Sequence, residues 1–263
     1  MKRLVLLFAM IITYQSWCQE LTLVKSLNIE EPTEVSLDRG GNIYYATFHG
    51  DIIRLDPQLE NELIFSPINP NTTTILEAWQ GLRIFSFHKD LQQYRLINRN
   101  LSLHEDYEFP RSFVGFAEVA TTSYDNNVWL FDQTDFSLKK YGITNNTLLS
   151  RTPLEQLLDP DNYEILFCKE YQNRLFLSTR ERGILIFDNF GNFIKTFDYK
   201  GITFFNFRDD SMYFLRAQEL VTINLYDEQI TSEPLPAQSE WLFVLIYENR
   251  TYLFSQDHVA LYK

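Results

Sequence analysis

After the first twenty residues, apolar positions fall in short runs where aromatic and aliphatic side chains alternate with polar ones, and turns separate the runs. A period of two is the mark of a half-buried strand. The clearest copy is Asp38 to Thr47, then His49-Gly-Asp51, then Ile52 to Asp56, with Gly40, Gly41 and Asn42 supplying the positive-φ residues of a tight hairpin. The aromatic strand that starts at Ile43 starts again at Arg83, Val128, Leu175, Met212 and Thr251, at spacings of 40, 45, 47, 37 and 39 residues. A third strand follows each later copy: Leu91 to Ile97, Leu138 to Ile143, Gly183 to Asp188, Leu220 to Tyr226, and Val259 to Tyr262. A more apolar strand precedes them, as at Thr33 to Leu37, Thr73 to Ala78 and Phe243 to Tyr247.

Six units of this length with four strands each predict an all-β fold, a six-bladed β-propeller. The residues after Thr251 are too few for a whole unit, and Leu21 to Leu27 has the right length to supply the missing outer strand. A last blade shared between the two ends closes the ring without a free edge. One helix is expected, at Thr152 to Leu158, where Thr152, Pro153 and Glu155 form a capping pattern.

The first unit, Pro32 to Thr47 with Ile52 to Asp56, resembles the repeats of six-bladed propellers of the NHL and gluconolactonase-like superfamily. The resemblance covers the chain at the level of fold, and that fold hosts lyases, lactonases, receptors and scaffolds alike. Calcium lactonases of the superfamily carry a metal-binding Glu in a Glu-x-Pro segment, which Glu30-Glu31-Pro32 matches. Their further Asn and Asp ligands have no clear counterpart between Asn98 and Asp210.

Lys2 and Arg3, the apolar run Leu4 to Ile12 and the polar stretch Thr13 to Ser16 follow the order of a secretory signal peptide. Residues 1–18 are read as that signal and residues 19–263 as one propeller domain. Trp17 before Cys18 departs from a lipobox, so ordinary cleavage is favoured over lipid anchoring at Cys18. The mature chain is expected to be exported to the periplasm or outer cell surface, monomeric, with no transmembrane segment. Cleavage leaves Cys168 as the only cysteine, read as a small buried side chain.

The chain is 45% hydrophobic and 16% aromatic, sufficient for a core built on strands, and its net charge of −12 argues against a nucleic-acid partner. Three of the four histidines fall in equivalent loops between second and third strands: His49 near Asp51, His88 near Asp90, and His258 beside Asp257. With Glu30 these are candidate ligands for calcium or another divalent metal, although loops of neighbouring blades stand too far apart for three side chains to reach one ion. The same loops carry Lys89, Arg180 and Arg182. This channel-mouth face, with His49, His88 and His258, is the expected docking surface for a protein, small-molecule or glycan ligand. Trp79, Trp129 and Trp241 are read as blade packing rather than a sugar-stacking platform.

No nucleotide loop, His-Glu-x-x-His or Gly-x-Ser-x-Gly motif occurs. No catalytic residue and no required cofactor are assigned. The expected function is a binding or assembly module. The alternative is a metal-assisted hydrolase of the calcium-lactonase type.

Overall fold

The computed structural model describes residues 21–263; the expected signal segment and Cys18 lie outside them. The described chain opens with β1 (Leu23–Asn28). Blade one is β2 (Pro32–Leu37), β3 (Ile43–Thr47), β4 (Ile52–Leu55) and β5 (Glu62–Phe65). Blade two is β6 (Ile75–Glu77), β7 (Arg83–His88), β8 (Gln93–Asn98) and β9 (His104–Glu108). Blade three is β10 (Ala117–Thr122), β11 (Val128–Asp132), β12 (Ser137–Gly142) and β13 (Thr147–Pro153). Blade four is β14 (Ile165–Tyr171), β15 (Arg174–Thr179), β16 (Gly183–Asp188) and β17 (Phe193–Phe197). Blade five is β18 (Asn206–Arg208), β19 (Ser211–Arg216), β20 (Glu219–Asn224) and β21 (Ile230–Pro234). Blade six joins β22 (Phe243–Tyr247), β23 (Arg250–Phe254) and β24 (His258–Tyr262) to β1.

Each sheet runs antiparallel from its first strand at the centre to its last at the rim. The first strands β2, β6, β10 and β14 pack in succession, and β22 closes on β2. The fold is a six-bladed β-propeller. As expected, the N-terminal strand completes the last blade: Ser26 pairs with Ala260, and Asn28 with His258.

Middle strands are buried on both faces because the blades stack on one another. Every residue of β3 and of β11 is buried. Aromatic rings fill the wedge between blades four and five. Tyr171 stacks on Phe207 at 4.4 Å, and Phe176 meets the same ring at 4.7 Å. Such pairs are worth about 0.5–1.5 kcal/mol beyond the area they bury.

The expected helix at Thr152 to Leu158 does not form, and no helix occurs among the described residues. Thr152 and Pro153 instead extend β13, pairing with Leu138 and Ser137. The outer edge of β12 offers hydrogen bonds that a marginal helix cannot match, and isolated short helices are unstable in water. What remains of the helical signal is a turn, in which Leu158 N–H donates to Leu154 O at 2.8 Å while both leucines are buried.

Candidate functional site

The turns between first and second strands emerge on one face, and the histidine loops on the other. Register shows this directly in blade one, where Leu37 pairs with Ile43 at one end and Pro32 with Thr47 at the other. A mixed polar and aromatic cavity of about 450 Å³ opens on the first-to-second-turn face over the channel. Its walls come from blades one to five.

At its base Lys169, on β14 of blade four, reaches Glu77 on β6 of blade two. Nζ donates to both carboxylate oxygens, at 2.9 and 2.8 Å, and both residues are buried. The pair therefore bridges two blades that are not neighbours. Buried charges are tolerated when they neutralise one another with good geometry. Close by on β2, Glu34 has a buried Oε2 without a hydrogen-bond partner. Burial, with the charge of Glu77 adding to it, raises the Glu34 carboxyl well above its ordinary value. Lys169 is hydrogen-bonded to Glu77, and Glu34 Oε2 is left without a partner.

The wall between blades three and four is fixed by Glu170. Its carboxylate accepts from Ser123 Oγ at 2.5 Å, Tyr124 N–H at 2.9 Å and Trp129 Nε1 at 2.6 Å. Three donors satisfy this anion and hold the 123–127 turn against β14. Trp129 is fully buried and Trp241 is 3% exposed, as expected for blade packing. Trp79 is different: it is 41% exposed, lines the cavity, and carries the Arg39 guanidinium at 5.8 Å from its ring centre. Tyr124, across the cavity mouth, is 78% exposed. The reading of Trp79 as packing is thus corrected. Its place at the end of β6 leaves no blade above it to cover the ring.

On the opposite face the three histidines are separately engaged. His88 is buried, with Nε2 3.2 Å from Ser86 Oγ and Nδ1 3.2 Å from Thr72 O. Burial lowers its pKa, so it is neutral and not the exposed loop residue expected. His258 Nδ1 lies 2.7 Å from both Ser255 Oγ and Asp257 Oδ1, and its ring packs edge-on to Trp241. His49 is exposed beside Phe48, and Asp90 and Glu30 are exposed, with Asp51 half-buried. Lys89 pairs with Glu118 at 3.5 Å, and Arg180 forms a two-pronged pair with Glu164. Arg182 is exposed. Among the described residues no three His, Cys, Asp or Glu side chains are spaced to hold a metal ion.

Sequence reasoning missed Glu77, Lys169, Glu170 and Glu34. A usable signal was present: charged residues in the more apolar first strands, where a polar side chain needs a partner.

No protein-family model matches the chain, and no curated protein matches it. Solved structures do. A virginiamycin B lyase from Staphylococcus aureus superposes with a TM-score of 0.63 at 11% identity, covering 93% of this chain and 99% of that one. BamB from Moraxella catarrhalis gives 0.55 at 11% identity, over 93% and 98%. The extracellular domain of a one-component system from B. thetaiotaomicron gives 0.57 at 13% identity, over 86% of this chain and 32% of that chain. The likeness is one of fold. It agrees with the six-bladed propeller expected from the repeats, and at these identities it carries no residue role across.

Proposed function

We propose that this propeller is an exported binding module that takes its ligand in the cavity over the channel, on the face of the first-to-second strand turns. The observation that carries the reading is the cavity itself. Two exposed aromatic rings stand at its mouth, and a neutralised Lys169–Glu77 pair at its base is held in place by rigid strands. Ligand sites are concave, largely pre-formed, and lined by aromatic side chains with a few fixed polar groups. Export is supported by the charged and apolar order of residues 2 to 16. It is also supported by the presence of an extracellular domain among proteins of similar shape.

The metal-assisted hydrolase reading finds no cluster of three His, Cys, Asp or Glu side chains among the described residues to support it. Glu77 and Glu170 are also poor general bases, because each is already engaged by strong donors.

Gln80 lines the cavity and is half-buried, so Gln80→Trp fills the space with little demand on the core. A low-molecular-weight fraction of cell-envelope extract should raise the melting temperature of the native protein. At about 100 times its dissociation constant, a ligand stabilises by about 2.7 kcal/mol, which for a domain of this size is about 5–10 °C. Gln80→Trp, which gives up the bond from Gln80 Nε2 to Ser123 O at 3.2 Å, should stay folded without extract and show no shift with it. An equal shift in both proteins, or none in the native protein across the fractions, overturns the reading.

A further inference from the structure

The charges around the cavity do not sum evenly. Lys169 and Glu77 neutralise each other, and Glu170 is satisfied by three donors. Among the described residues Arg39 forms no ion pair, and its guanidinium lies over Trp79, 5.8 Å from the ring centre. In a chain of net charge −12, this leaves a single uncompensated cation at the rim of the cavity. A guanidinium stacked on an indole keeps its edge free, and that edge matches a carboxylate with two parallel hydrogen bonds.

The rest of the lining fits a ring that is apolar on its faces and hydroxylated at its edge. Trp79 and Tyr124 are large aromatic residues left 41% and 78% exposed. Asn126 adds an amide that can both donate and accept, and Gln80, whose Nε2 donates to Ser123 O at 3.2 Å, adds an acceptor oxygen. A sugar ring offers C–H faces to aromatic rings and paired hydroxyls to amides. A peptide would instead seek a free strand edge or a row of side-chain pockets, and this cavity is walled by turns and by strand ends already paired.

We infer that the cavity binds a glycan bearing a carboxylate, an acidic sugar of the uronate type. The ring lies on Trp79 and Tyr124, and the carboxylate is held by Arg39. This rests on the binding-module reading above and names the chemical class of its ligand.

Trigalacturonate is the probe, and its fully methyl-esterified form is the control, since esterification removes each negative charge and adds only a methyl group. Titration calorimetry on the full mature chain should show trigalacturonate binding and the ester binding about ten- to a hundredfold more weakly, the size expected for a charge-assisted pair. Arg39→Gln should bring the two affinities together by weakening the acid alone. Trp79→Ala should weaken both, and Gln80→Trp should abolish both. Arg39 is an exposed turn residue, so its replacement leaves folding intact, which the melting temperature checks.

Equal affinity for acid and ester in the native protein overturns the inference, as does an Arg39→Gln variant that still discriminates between them. Failure of both probes, while the extract still stabilises native protein but not Gln80→Trp, removes the acidic-sugar class and leaves the binding cavity standing. Failure of the extract test together with both probes removes the site itself. Binding that survives in Gln80→Trp places the sugar elsewhere and likewise overturns the inference.

Discussion

Glu34 shows what one buried, unpartnered carboxyl oxygen costs in this channel. Burial, with the nearby Glu77 charge adding to it, raises the carboxyl's pKa well above the ordinary carboxylate range. For an acid whose native pKa exceeds its unfolded value of about 4.3, the stability contribution is complete below that value. It is lost as pH rises through the native one. Glutamine keeps the shape without the charge. Glu34→Gln should therefore raise the melting temperature at pH 8 and change it little near pH 4. A difference that stays constant across that range, or a loss at pH 8, would contradict the neutral-acid account. The same surroundings push the Cys168 thiol up, again chiefly through burial, which marks it as an inert core residue rather than a nucleophile.

At the scale of elements the hairpins are ordered by side chains that fold back on their own turns. Asp38 accepts from the backbone of Gly40 and Asn42, and Asp188 does the same for Phe190 and Asn192. Asn98 and Asn224 hold the corresponding third-to-fourth-strand turns of their blades. Glycine and asparagine do not always occupy the left-handed positions. Leu59 and Leu101 sit at φ 59° and 56°, yet both are buried, and packing beneath the turn offsets the strain. The β19–β20 turn has no such compensation at Ala217, an exposed residue at φ 50° followed by Gln218 at 63°. Two-residue turns of this kind favour Asn at the first position. Ala217→Asn should stabilise by about 0.5–1 kcal/mol, read as a rise of about 2–3 °C in melting temperature. An unchanged or lower melting temperature would show that the turn is not strained.

For the whole molecule, closure is the decisive contact. β1 supplies the outer strand of blade six by pairing with β24, and Leu27 packs against the main core. Deleting Leu21 to Leu27 exposes the β24 edge, where Val259 and Leu261 belong to that core. The expected result is a lower melting temperature and concentration-dependent association in light scattering, because a bare strand edge templates further pairing. A truncated protein that stays monomeric and melts at the native temperature would show that the shared blade is dispensable.

The blade pattern was legible in the chain because it is local. Alternation, turn residues and a repeat of roughly forty positions are properties of neighbouring residues, and they determined the six blades and the strand that closes them. The helix at Thr152 was misread because a strand edge offered by β12 outweighed a short capping signal. The cavity was not legible, because its defining contacts join distant segments. Lys169 meets Glu77 across 92 positions, and Glu170 meets Trp129 across 41. The three conspicuous histidines share a loop position in sequence, but packing buries His88, engages His258 and leaves His49 in solvent. Trp129 lies within β11, whereas Trp79 stands in the turn after β6. Only the stacking of neighbouring blades covers one ring and leaves the other open to solvent, and periodicity within a strand cannot encode contacts between blades.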